Sequence, residues 1–471
     1  MEPRFGSGIP MASVIARLGN RRLAERLVLV TAILIALAIG VAMIARGEAH
    51  IRGWEAYSIA KAVSAGHGFS FPIGGGWLFN ERDLTGPDEL SGYRPTAWVD
   101  PVYTYILAAI IHFAGDLHKY VGGGLNLLLF VAVVVQTFRL ASEVEGVAAG
   151  YVAAGLITLI LCARPAWVFQ LYGTLLAALL VLTCARAALK TINAPSSRTA
   201  ATLGLLTGMT ILACPGAIAF LPVSLLLICI AFRRRWQLAT SGAVVALLLA
   251  VAVIAPWTIR NYLAMDELVL VRTGSGQIAF VSTVATGSTI DPGTLEGDVM
   301  PPWRAGNARE AIQSVIGTAS QAKRRELEQF QMDFAHAVGG DEFRAMNEAQ
   351  RDNWFKQITR RYVVEHPMLS IELAAHKMLA FASATGPVGT LVFVVSILGA
   401  VVAVARRRLD LFALVLYIAA FMAPFVLVAP YFARYRIPIE PVMVVVAAVT
   451  ACAIGRFFRG VAKISVRQPV P

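Results

Sequence analysis

Charge is what this 471-residue sequence has least of. Asp, Glu, Lys and Arg together make up 15% of it, against about a quarter in an ordinary soluble domain. Cysteine is scarce as well. Cys162, Cys184, Cys214, Cys229 and Cys452 all fall within or at the edge of apolar runs, which excludes a disulfide framework and a thiolate metal motif. They read as small core residues. No internal repeat and no low-complexity tract is visible, so solenoid and linker-rich architectures are excluded. The first apolar run is too long for a cleavable signal peptide, and no small-residue cleavage site follows it.

What is present is apolar surface. Hydrophobic residues are 57% of the chain and mean hydropathy is +0.66, which identifies an all-α polytopic membrane protein. A membrane crossing takes about 20 mostly apolar residues. Runs of that kind cover 27–45, 121–139, 146–163, 167–185, 201–215, 217–232, 238–257, 388–405, 410–428 and 437–455, ten spans in all. The pair around Pro215 is the least regular, with a short turn between its members. The net charge of +12 would suit nucleic acid, but its placement explains it otherwise. Arg17, Arg21, Arg22 and Arg26 precede the first span. Arg186, Lys190 and Arg198 follow the fourth, Arg233–Arg235 the sixth and Arg406–Arg408 the eighth, while Arg456, Arg459, Lys463 and Arg467 follow the tenth. Alternating spans put all of these on one side, which the positive-inside rule makes cytoplasmic.

The expected organisation is a basic cytoplasmic N-terminus (1–26), a transmembrane module (27–257), a C-terminal transmembrane pair and final span (388–455), and a basic cytoplasmic tail (456–471). Two external loops, 46–120 and 258–387, are too long and too polar to be turns. Long loops in compact architectures are usually functional, so the chemistry is expected outside. Residues 54–65 read as an amphipathic helix stopped by Gly66 and Gly68. Residues 100–115, opening on Pro101, read as a helix in the outer leaflet. In the second loop, 308–363 reads as charged and helical and 366–383 as interfacial.

The candidate chemistry lies at the outer surface. Glu55, beside Trp54 and Tyr57, either pairs with Arg52 one helical turn away or acts as a general base. Asp100 in "PTAWVDPVY" either caps the helix that begins at Pro101 or is a second active-site carboxylate. In "YFARYRIPIEP", Arg434 and Arg436 flank Tyr435 in an external turn, where the positive-inside bias disfavours cations. Either they snorkel toward head groups, or they bind phosphate through bidentate guanidinium contacts, which suits two arginines better. "PWTIRNY" repeats the theme with Arg260. Tyr103 completes the set of aromatic residues expected around a substrate.

Three patterns carry less. "GGDEF" (339–343) spells a diguanylate cyclase signature but stands in an external helical loop, and we read it as coincidence. "RTGSGQ" (272–277) lacks the Lys-Ser/Thr of a P-loop and reads as a flexible loop. Glu372 and His376 stand four apart and could share a metal, yet two ligands are a weak pattern.

At these residues the chain resembles the integral-membrane glycosyltransferases of the GT-C superfamily, most of all bacterial family 39, whose relatives include protein O-mannosyltransferases and the lipid A aminoarabinose transferase. "WEAYSIAKAVSAGHGFSFP", "PTAWVDPVYTYILAAIIHFAG", "PWTIRNY", "VEHP" and "RYRIPIEP" stand in the family's order. The resemblance implies a multi-pass fold in a bacterial inner membrane with the active site facing the periplasm. It implies inverting transfer of a sugar from a polyprenyl-phosphate donor to a glycan, lipid or protein acceptor, with room for a divalent metal and no nucleic-acid partner. Carried over, the catalytic acid falls on Glu55, and Arg434 and Arg436 hold the lipid phosphate. The family's usual Asp-Glu pair reads Trp54-Glu55 here, so the role falls to Glu55 or Asp100. A transporter or flippase for lipid-linked saccharides is the competing reading. Nearly charge-free spans and the lack of repeated halves argue against it. A non-catalytic assembly factor is the third reading.

Overall fold

The computed structural model describes residues 20–46, 55–72, 92–163, 165–169, 172–286, 321–427 and 433–465. In chain order the helices are α1 Arg21–Ala45, α2 Glu55–Ser64, α3 Pro101–Ala114, α4 His118–Glu145, α5 Val147–Cys162, α6 Pro165–Phe169, α7 Thr174–Asn193, α8 Ser197–Ala213, α9 Phe220–Ala231 and α10 Trp236–Met265. They continue as α11 Ser275–Ala279, α12 Gln321–Ala345, α13 Glu348–Glu365, α14 Pro367–Ser383, α15 Gly386–Ala405, α16 Leu409–Leu427, α17 Ala433–Arg436 and α18 Glu440–Ser465. Two three-residue strands, β1 Ser70–Pro72 and β2 Tyr93–Pro95, pair antiparallel with Phe71 opposite Arg94.

Nine of the ten expected spans fall largely on one helical stretch each. Among the described residues six helical stretches are long and apolar enough to cross a membrane, and Val147–Cys162 and Pro215–Ala231 are shorter apolar helices. Two boundaries differ from expectation. The run 167–185 is not one span, because α6 stops at Phe169 and α7 starts only at Thr174. Gly173, between them, sits where a Cβ would come within 2.9 Å of the Tyr103 Cβ, so the break lets α3 approach closely. The span expected to end at 257 runs on as α10 to Met265, through Pro256, until Asp266 turns it off in the left-handed region at φ 52°. The start of the second loop is therefore two further turns of helix.

The bundle is packed by small residues, the usual solution where lipid removes any hydrophobic drive between helices. A Cβ at Gly204 of α8 would lie 2.3 Å from the Ala246 carbonyl oxygen of α10. Buried hydroxyls add polar links. Ser224 Oγ lies 2.7 Å from Tyr417 Oη and 3.0 Å from Thr207 Oγ1.

Ion pairs gather at one end of the bundle. Glu143 takes Arg21 at 3.0 Å and also Arg186. Glu145, next to it, takes Arg408 and Arg456, and Arg139 takes Glu25. Four of the basic clusters noted in the sequence thus contribute to this end. The first residue of α4, His118, bonds Tyr57, and 25 residues of helix put that contact roughly 38 Å from Glu143. The bundle accordingly has a basic, ion-paired end and an opposite end that carries α2, the strands and the outer layer.

"GGDEF" lies within α12, which kinks at Gly340 (φ 54°), with no hairpin among its residues.

Candidate active site in the outer layer

The outer layer is assembled by residues that reach across long stretches of sequence. The extension of α10 grips the segment before α11. Trp257 Nε1 donates to the Val271 carbonyl at 2.5 Å, Asn261 Nδ2 to Val269 at 3.1 Å and Val271 at 3.3 Å, and Thr258 Oγ1 to Leu270 at 2.8 Å. Arg260 turns the other way and donates to the carbonyls of Thr96, at 2.7 Å, and Phe69. Its guanidinium also lies over the Trp257 and Phe69 rings, at 5.1 and 5.5 Å. "PWTIRNY" is thus a clamp holding first-loop backbone. Arg260, expected to bind phosphate, is engaged with protein carbonyls here.

Helix α13 closes the clamp from outside. Its N-cap, Asn347, forms a reciprocal capping box with Gln350, which starts the helix where Glu348 can reach the first loop. The Glu348 carboxylate accepts from Thr96 Oγ1 at 2.7 Å, from the Ala97 N–H at 3.1 Å and from Thr273 Oγ1. Shielding from water pushes its pKa above the ordinary carboxylate value, an effect these bonds offset in part. One turn on, Asp352 accepts the Gly276 N–H at 2.6 Å and pairs with Lys356 at 2.8 Å. "RTGSGQ" is therefore no flexible loop. Gly274, at φ 86°, sits so close to the Trp98 ring that a Cβ would meet it at 2.5 Å.

The segment so held sets Arg272 against Asp100, Nη1 to Oδ1, at 3.8 Å. Asp100 occupies the N-cap position of α3, but its side chain makes no capping bond; the carboxylate faces the arginine instead. Glu55 opens α2, which packs on α3 through Ala60, Tyr103, Leu107 and Ala108. Glu55 is half-buried. Tyr57 Oη bonds His118 Nε2 at 2.8 Å, with Lys61 over its ring at 5.1 Å.

Other expected site residues stand differently. Tyr103 is buried, with its hydroxyl donating to Asn126 Oδ1 at 3.1 Å. Tyr435 stacks on Phe425 with ring centroids 5.3 Å apart. Arg436 is fully buried. It binds Glu440 at 2.5 and 3.0 Å and donates to the carbonyls of Phe381, Ala382 and Gly389 at 2.6–2.7 Å. These bonds engage its guanidinium, expected from the sequence to hold a phosphate, with protein groups. Trp54 and the Arg434 side chain lie outside the described residues. Glu372 and His376 face each other at 3.8 Å on the exposed side of α14. Among the described residues no group of three His, Cys, Asp or Glu could hold an ion, so this pair has no third ligand there.

Sequence reasoning missed Arg272, Glu348, Asn261 and Asp352. The one available signal was the Asn347–Gln350 capping pattern, which marks the start of α13; the partners of these residues are far away in the chain.

With the geometry in place, the fold can be compared with solved structures. The chain superposes on the apo oligosaccharyltransferase of Archaeoglobus fulgidus with a TM-score of 0.50 at 13% identity, covering 95% of this chain and 53% of that one. It superposes on the same organism's oligosaccharyltransferase AglB, in complex with an inhibitory peptide and a dolichol-phosphate, with a TM-score of 0.51 at 12% identity, covering 94% and 52%. The fold is GT-C-like. ArnT from Cupriavidus metallidurans, bound to undecaprenyl phosphate, matches with a TM-score of 0.36 at 16% identity, covering 91% and 77%. The chain spans about half the length of the oligosaccharyltransferase chains it matches. No family model matches it, and no curated protein does so by sequence.

Proposed function

We propose that this protein is a membrane glycosyltransferase, close in kind to family 39, that moves a sugar from a polyprenyl-phosphate donor to an acceptor on the periplasmic face of a bacterial inner membrane. The observation that carries the reading is the pairing of a GT-C-like bundle with an outer layer, at the end remote from the basic ion pairs, in which Asp100 is held beside Arg272. AglB was solved with a dolichol-phosphate and ArnT with undecaprenyl phosphate, and a donor of that class suits a site at the membrane surface. Its prenyl chain can lie among the spans while its phosphate stays within reach of side chains at the interface.

In the proposed reaction Glu55 takes the proton of an acceptor hydroxyl. The freed oxygen attacks the anomeric carbon, the bond from that carbon to the phosphate oxygen breaks, and its electron pair leaves on the polyprenyl phosphate. Cations stabilise the charge that develops there. We assign that role to Arg434 and, from its position, to Arg272. Asp100 orients Arg272 and is the alternative base. Arg260 and Arg436 hold the scaffold.

The test is reconstitution in proteoliposomes with a labelled polyprenyl-phosphate sugar and an extract of envelope glycans and lipids. Transfer predicts release of polyprenyl phosphate and label in the acceptor fraction. Label that crosses the bilayer still attached to its lipid would instead identify a transporter, and an untouched donor an assembly factor.

A further inference from the structure

Helix α13 has a second face. Glu348 and Asp352 point to the first loop and the α11 segment, while Asn353, Trp354 and Arg360 line a cleft of about 760 Å³ on the other side. That volume is within the range of small-molecule and oligosaccharide sites. Glu267, Glu342 and Lys356 also line it. Its two carboxylates and two cations balance, so the cleft carries no field to attract a polyanion. Its aromatic wall is rigid. The Trp354 ring is braced by Phe343 and Phe355, with centroids at 5.0 and 5.1 Å. Its polar groups are also set in place: Asn353 Nδ2 donates to Glu267 Oε2 at 3.0 Å, and Lys356 is tied to Asp352.

A half-buried indole beside fixed amide and carboxylate groups, with balanced charge, fits one ligand chemistry well. The apolar C–H face of a pyranose stacks on an aromatic ring, and its hydroxyls bond planar amides and carboxylates in pairs. Groups already held by the protein lose little freedom on binding. We propose that this cleft binds a neutral oligosaccharide of several residues. Its use as the glycan-acceptor subsite rests on the transferase reading; its capacity to bind saccharide does not. The position supports that use, because the helix carrying Trp354 also anchors, through Asp352 and Glu348, the segment that presents Arg272 to Asp100.

The test is calorimetric titration of the full chain in nanodiscs with tetramers of glucose, mannose, galactose and N-acetylglucosamine, and with tetragalacturonate as the anionic control. At least one neutral tetramer should bind saturably and more tightly than tetragalacturonate. Trp354→Ala should weaken that binding by tenfold or more. Gln357→Ala, at an exposed cleft position where a folding defect is not expected, should weaken it by about threefold. Silence of all four neutral tetramers, preference for the anion, or affinity unchanged in both cleft variants would each overturn the proposal. Saccharide binding by a protein that leaves every lipid-linked donor intact would uphold the cleft and defeat the transferase reading.

Discussion

The bundle and the outer layer are built by opposite means. Between the spans, contact is made by removing atoms: Gly204 and Gly208 let α8 lie against the backbone of α10, where a Cβ would come within 3 Å of backbone atoms. In the outer layer, contact is made by adding polar atoms, and Arg260, Asn261, Glu348 and Asp352 each satisfy distant backbone groups. The difference follows from solvent. In hydrocarbon each helix satisfies its own backbone, so close packing is what remains to select neighbours. Outside, the segments 92–100 and 266–274 have little regular structure, and their carbonyls and N–H groups need partners from elsewhere. One buried group crosses the divide. Arg436, at the junction, bonds the backbone of α14 and α15 as an outer-layer residue would, yet it is enclosed like a bundle residue.

That comparison can be broken at three places. The largest effect is expected at the junction. Arg436→Ala leaves Glu440 buried without its cationic partner and removes the donor that Arg436 gives to the carbonyls of Phe381, Ala382 and Gly389, a loss of about 3–5 kcal/mol. Lysine, with three donors, should rescue little. Thermal unfolding in detergent checks this, and an unchanged midpoint would mean that Arg436 is free for another role. Next comes the clasp. Glu348→Ala strands the Ala97 N–H and two hydroxyls, which costs about 1–3 kcal/mol. Hydrogen exchange should accelerate in 92–98 and 270–276 while α4 and α18 stay protected. Equal acceleration everywhere would show that the layer and the bundle are one unit.

The third place is Lys377 on α14, where the effect is read as a slope with pH. It is buried, it donates to Ser282 Oγ and Thr283 Oγ1 at 3.2 Å, and burial pushes its pKa down to about 7. Between that value and the ordinary 10.5 the unfolded chain binds the proton more tightly. Stability should therefore rise with pH across that window and be flat below it. Lys377→Met should abolish the slope, as read by unfolding midpoints from pH 6 to 10. A slope that survives the substitution would assign it to other groups.

The same division explains what could be read from the sequence. Spans are local patterns, so nine of the ten apolar runs lie largely on one helical stretch each, and the helices expected over 54–65, 100–115 and 366–383 are α2, α3 and α14. The break before Thr174 was invisible, because it answers to Tyr103 some 70 residues away. The continuation of α10 was hidden because its residues past 257 are polar enough to read as the start of the second loop. In the site, Glu55 and Asp100 stood out as acids in an external loop. The protein partners of Arg260 and Arg436 did not, because an arginine that binds carbonyls and one that binds phosphate have the same letters around them. Arg272 was concealed by glycines that suggest a loose loop, whereas Gly274 is there to admit Trp98.

The central claim is that the outer face carries a carboxylate which takes a proton during sugar transfer. Turnover of a labelled polyprenyl-phosphate sugar in proteoliposomes by the unaltered protein, Glu55→Gln and Asp100→Asn tests it directly. The account predicts a fall on the order of 10²–10⁴ for Glu55→Gln, with donor binding retained and with Asp100→Asn still active. Full turnover by Glu55→Gln would contradict it.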